Sequence, residues 1–94
     1  MKIHPFIRAL KATMPDAEFT LLTSRDWCSM TFAGQQILIE CIPLEGQCID
    51  AWATALPERE FSVPNLLVAD IAVTSSENDR GGCRILVEAL VIDA

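Results

Sequence analysis

Apolar and polar residues alternate along this chain in two periods. The first segment, Pro5 to Thr13, follows helical spacing. Phe6, Ile7, Leu10 and Met14 fall on one side, and Arg8 and Lys11 on the other, the i, i+3, i+4 pattern of an amphipathic helix. Pro5 suits the first helical position. Pro15 disfavours the α conformation at Met14 and so ends the helix. A helix of this length needs tertiary packing to persist, so its apolar side must lie against something.

The period then becomes two. Ala17 to Thr23 is rich in Phe, Thr and Leu and reads as a strand, with Ser24-Arg25-Asp26 as a tight connection. Trp27 to Phe32 alternates, with Trp27, Ser29 and Thr31 on one face and Cys28, Met30 and Phe32 on the other. That pattern predicts a half-buried strand. Ala33-Gly34-Gln35 is read as a turn. Gln36 to Ile42 is a third strand, apolar on both faces except for Glu40, as expected of a strand covered on both sides. Pro43 to Gly46 makes a further turn.

Cys48 to Leu56 fits either period. As a helix it places Ile49, Trp52, Ala53 and Leu56 on one side and ends at Pro57. As a strand it alternates Ile49, Ala51, Ala53 and Ala55 with Cys48, Asp50, Trp52 and Thr54. Its alanines favour the helix. Asn65 to Ser75 and Cys83 to Asp93 are two β-branched-rich runs around the polar, Gly81-Gly82-containing segment 76–82, which predicts a β-hairpin. The sum is an α+β fold with element order α-β-β-β-(α)-β-β. An antiparallel sheet of about five strands carries helical cover on one face, within a single domain over residues 1–94.

Composition changes this picture only at its edges. The chain is 51% hydrophobic and 21% charged, which fits a globular protein. Net charge is −6, against the clustered basic residues that general nucleic-acid binding needs. The charge is uneven. Residues 1–25 hold four cations (Lys2, Arg8, Lys11, Arg25) and two acids (Asp16, Glu18), a net of +2, which leaves −8 for residues 26–94. A basic first helix on an acidic body reads as internal complementarity. Arg8 and Lys11 interrupt the first apolar segment before it reaches signal-peptide length, and no apolar run reaches membrane-span length. The expectation is a cytoplasmic protein with neither membrane nor nucleic-acid partners. Cys28, Cys41, Cys48 and Cys83 form no Cys-x-x-Cys pair, so reduced, mostly buried thiols are expected instead of a zinc or redox motif.

Candidate chemistry is sparse. The chain has no Gly-x-Ser-x-Gly, no His-Glu-x-x-His and no phosphate-cradling glycine loop. His4 is the single histidine and has no local partner for catalysis or metal ligation. Asp70 and Glu88 each sit inside an apolar run. If the hairpin loop centres on Asp79, they lie directly opposite each other, where like charges are destabilising. A register shifted by two instead sets Asp70 against Leu90; alternatively, solvent, Arg84 or a cation separates the carboxylates. With Glu40 as a third member, these carboxylates suit a divalent cation. This is the alternative functional reading: a small metal-dependent enzyme or metal-binding protein using Glu40, Asp70 and Glu88.

The favoured reading rests on the company these carboxylates keep. Val68, Ala72, Leu86 and Leu90 are assigned to the same faces, so neither face of the hairpin reads as a plain solvent face. A partner subunit resolves that conflict. The sequence therefore predicts a small non-enzymatic binding or assembly protein that self-associates through its sheet as a homodimer. It requires no cofactor and leaves room for a further protein partner. Trp27, Leu86 and Leu90 are the interface candidates, an exposed aromatic being a common interface anchor. For Trp27 the competing expectation is packing beneath the second helix.

Overall fold

The structure, a computed structural model, describes residues 4–43, 49–77 and 83–93. Its element order is α1 (His4–Thr13), β1 (Glu18–Cys28), β2 (Ala33–Ile42), α2 (Ile49–Ala55), a 3-10 turn (Leu56–Glu58), β3 (Leu66–Glu77) and β4 (Cys83–Asp93). The α+β class holds, but the sheet has four strands in the order β1-β2-β4-β3, all antiparallel. The hairpin segment 78–82, most of the turn at 43–46, and Cys48 lie outside the described residues.

The missing fifth strand has a local cause. Ser24-Arg25-Asp26 is the middle of β1 and not a connection. It contains no Gly or Pro to break the chain, and all three residues are exposed, so their polarity reflects solvent contact. The turn comes later. The Ser29 backbone N–H donates to the Phe32 carbonyl at 2.8 Å, and the Phe32 N–H donates to Ser29 Oγ at 3.2 Å. Ala33 and Gly34 already belong to β2.

One face of the sheet is built from Ile37, Ile39 and Cys41 of β2, and Ile85, Val87, Ala89 and Val91 of β4, all buried. Phe6 and Leu10 of α1 are fully buried against this cluster, with Met14 nearly so. The ambiguous segment is helical over Ile49–Ala55. Trp52 packs on the same core. Its indole N–H donates to Thr13 Oγ1 at 2.8 Å, and the Thr13 hydroxyl donates to the Leu10 carbonyl at 2.6 Å. This relay ties α2 to the last turn of α1. Edge-on ring pairs, Phe6 with Phe61 at 5.5 Å and Phe19 with Trp52 at 6.3 Å, complete the layer with geometry that aromatic quadrupoles favour.

Each edge strand is interrupted by a bulge. The β1–β2 register shifts between Leu21 and Thr23, leaving Leu22 as the extra residue. The β3–β4 register shifts between Val68 and Asp70, leaving Ala69. The second bulge corrects an expectation: Val68 pairs with Val91 and packs on the core, whereas Asp70 pairs with Leu90 on the opposite face. Between Val63 and Leu66 the chain turns with Pro64 in second place and Asn65 at φ 64° in third, the type II pattern.

Gly34 marks a tight approach. A Cβ there would stand 2.2 Å from the Val91 carbonyl oxygen and 3.0 Å from Ile92 Cα. Both are backbone atoms of the neighbouring strand, which cannot swing aside as a side chain does. Gly34→Ala is expected to destabilise the fold by about 2–3 kcal/mol, the upper range for overpacking. Urea unfolding followed by circular dichroism checks this, and an unchanged midpoint would contradict the close approach.

Candidate functional site

The second face of the sheet carries no helix among the described residues, and its side chains fall into four rows, each crossing β1, β2, β4 and β3. The first row is Thr20, Glu40, Leu86 and Thr74. The second is Thr23, Leu38, Glu88 and Ala72. The third is Arg25, Gln36, Leu90 and Asp70. The fourth is Trp27, Gly34, Ile92 and Leu67. On the two central strands polar and apolar residues alternate out of step, so Glu40, Leu38 and Gln36 of β2 face Leu86, Glu88 and Leu90 of β4.

The polar members of this checkerboard bind one another. The Gln36 amide donates through Nε2 to Glu88 Oε1 at 2.8 Å and accepts at Oε1 from an Arg25 guanidinium nitrogen at 3.4 Å. Glu40 forms an ion pair with Arg84 across β2 and β4. Side-chain exposure of 41% for Arg84 and 20% for Glu40 keeps that pair partly solvated, in the range where an ion pair contributes about 0–1 kcal/mol. Leu38, Leu86 and Leu90 are each half-buried with no covering layer among the described residues, because their neighbours shield their flanks.

The structure places every predicted site residue on this face. Glu40, Glu88 and Asp70 descend diagonally across β2, β4 and β3, each one row below the last. Asp70 lies opposite Leu90, and Glu88 opposite Ala72, so the direct opposition of two carboxylates is avoided by the two-residue register shift. Diagonal neighbours stand about 7–8 Å apart at Cα, wide for side chains sharing one ion. Among the described residues, no three His, Cys, Asp or Glu side chains are grouped to hold a metal. Glu40 and Glu88 are engaged instead by Arg84 and Gln36.

Trp27, Leu86 and Leu90 share the open face. Trp27 is half-buried and pairs with Gly34, on the side opposite α2 and not beneath it. Gly34 stands between Trp27 and Ile92 in the fourth row, its backbone close against Val91 and Ile92. Ile92 is buried yet stands outside the main core, as expected for a residue of this second face. Sequence reading missed Arg25, Gln36 and Leu38. The Arg25-containing trio was assigned to a turn, which hid the row that joins it to Asp70.

Elsewhere, His4 is exposed at the start of α1, Cys28 is an exposed free thiol at the end of β1, and Cys41 is buried in the core. No described helix is long and apolar enough to cross a membrane. No protein-family model, curated protein or solved structure matches the chain.

Truncating the polar pair tests its weight in the fold. Glu40→Gln is expected to change stability by less than about 1 kcal/mol, measured as a shift in the urea midpoint. A loss of 3 kcal/mol or more, the range for breaking a buried pair, would show that Glu40 and Arg84 are more thoroughly desolvated than their exposure indicates.

Proposed function

We propose that this protein is a small non-enzymatic binding and assembly module that self-associates through the open face of its sheet, as a homodimer. The observation that carries the proposal is the second sheet face itself, a four-row surface with half-buried Leu38, Leu86 and Leu90 at its centre and no covering layer among the described residues.

The polar residues of the face suit it to being covered. Glu88, Gln36 and Arg25 are linked by hydrogen bonds, and Glu40 is paired with Arg84, so a partner would close over groups that already have partners. That lowers the desolvation cost of association. The edge of β1 bears exposed Leu21 and Leu22 and stays accessible in such a dimer for a further protein partner.

Native mass spectrometry and light scattering on the purified chain are expected to give twice 10.3 kDa at micromolar concentration. Leu86→Lys combined with Leu90→Lys is expected to yield a folded monomer with an unchanged circular dichroism spectrum. A wild-type chain that stays monomeric at 100 µM, where a dissociation constant of about 1 µM would make it mostly dimer, would overturn the proposal. So would a double variant that dimerises as the wild type does.

A further inference from the structure

We infer that the second copy packs face to face about a two-fold axis parallel to the strands, and that Arg25 of each copy pairs with Asp70 of the other. The inference rests on the self-association proposed above and goes further by naming the symmetry and the residues that set it.

The argument starts from the rows. Arg25 and Asp70 are the two ends of one row, Arg25–Gln36–Leu90–Asp70, on the outermost strands of the sheet. Both are exposed. Within one copy they are three strand spacings apart, about 14 Å, too far to pair. A two-fold axis running along the strands between two stacked sheets exchanges left and right while keeping the rows level. It lays β1 of one copy over β3 of the other, and Arg25 over the opposing Asp70, twice by symmetry.

The same operation matches the other row ends. Trp27 comes over the opposing Leu67, which is 54% exposed in the single chain, and Thr23 comes over Ala72. Packed sheets lie about 10 Å apart and cross at about 30°, which displaces the row ends by roughly 4 Å along the strands. The length and flexibility of an arginine side chain can span that offset.

The competing symmetry fits less well. An axis across the strands stacks each strand on its own copy. It can pair Arg25 with the opposing Glu18, but only in a register that leaves Trp27 and Leu67 uncovered.

The experiment is a charge swap read by sedimentation equilibrium. Arg25→Glu and Asp70→Arg are each expected to weaken the wild-type dimer at least tenfold, a change of about 1.4 kcal/mol, by setting like charges opposite one another. The double variant R25E/D70R restores the pair in reverse and is expected to return to within about threefold of wild type. Both positions are exposed, and an unchanged circular dichroism spectrum confirms that each variant folds. Four results would overturn the inference. A monomeric wild type would overturn it together with the proposed function. A dimer indifferent to both single reversals would overturn the pairing alone. Weakened singles with no recovery in the double variant would do the same. Recovery of Arg25→Glu by Glu18→Arg in place of Asp70→Arg would establish the competing symmetry.

Discussion

Burial of one sheet face beneath α1 and α2 is the constraint on which the rest of this molecule depends. A ten-residue helix is marginal in water by itself, and a β-sheet needs a buried face to stand. Neither persists without the other. Phe6 and Leu10 share one buried cluster with Ile37, Ile39, Val87 and Val91, and the Trp52–Thr13–Leu10 relay fixes how α2 meets α1. Both described helices lie on the same side of the sheet. Among the described residues, the other sheet face is finished by side chains alone.

That second face is ordered by the two bulges. Were β1 regular through Leu22, its alternation would place Ser24 and Asp26 where Thr23 and Arg25 stand. Were β3 regular through Ala69, Val68 would share the face of Asp70. Bulges re-aim side chains in this way, and they also twist edge strands out of the flat geometry that invites edge-to-edge pairing. Here they occur in both edge strands, β1 and β3, and in neither central strand. The centre of the sheet keeps a regular register while its margins are adjusted.

This explains how far the sequence could be read. The apolar stripe of α1 and the two arms of the C-terminal hairpin follow from local periodicity and appear where it places them, whereas β2, expected from Gln36 and apolar on both faces, begins at Ala33 and turns Ile37, Ile39 and Cys41 into the core. The helix at Ile49–Ala55 follows from alanine content. The β1 strand is harder because its middle, Ser24 to Asp26, is exposed on both faces. With nothing buried there is no alternation to detect, and a polar trio in an extended edge strand looks like a turn. Bulges leave no comparable mark, since Leu22 and Ala69 are ordinary strand or helix residues. The conflict between carboxylates and their apolar company was legible at Glu88, whose neighbours Leu86 and Leu90 do share its face. At Asp70 it was partly an artefact of assigning Val68 to the wrong side.

The mixed character of the open face bears on the kind of association it can support. Permanent interfaces resemble a domain core cut in half, whereas interfaces between partners that also live apart are about as polar as the remaining surface. Leu38, Leu86 and Leu90 are apolar enough to gain from being covered. Gln36, Glu40, Glu88 and Arg84, lying between them, keep the uncovered face wettable. Because those polar groups already satisfy one another across the strands, the face carries little penalty in either state. A wholly apolar face would require a permanent partner, and one whose charges met no counterpart across the interface would resist any. A checkerboard of leucines and mutually bonded polar residues supports a surface that is exposed or covered according to concentration and to which partner is present.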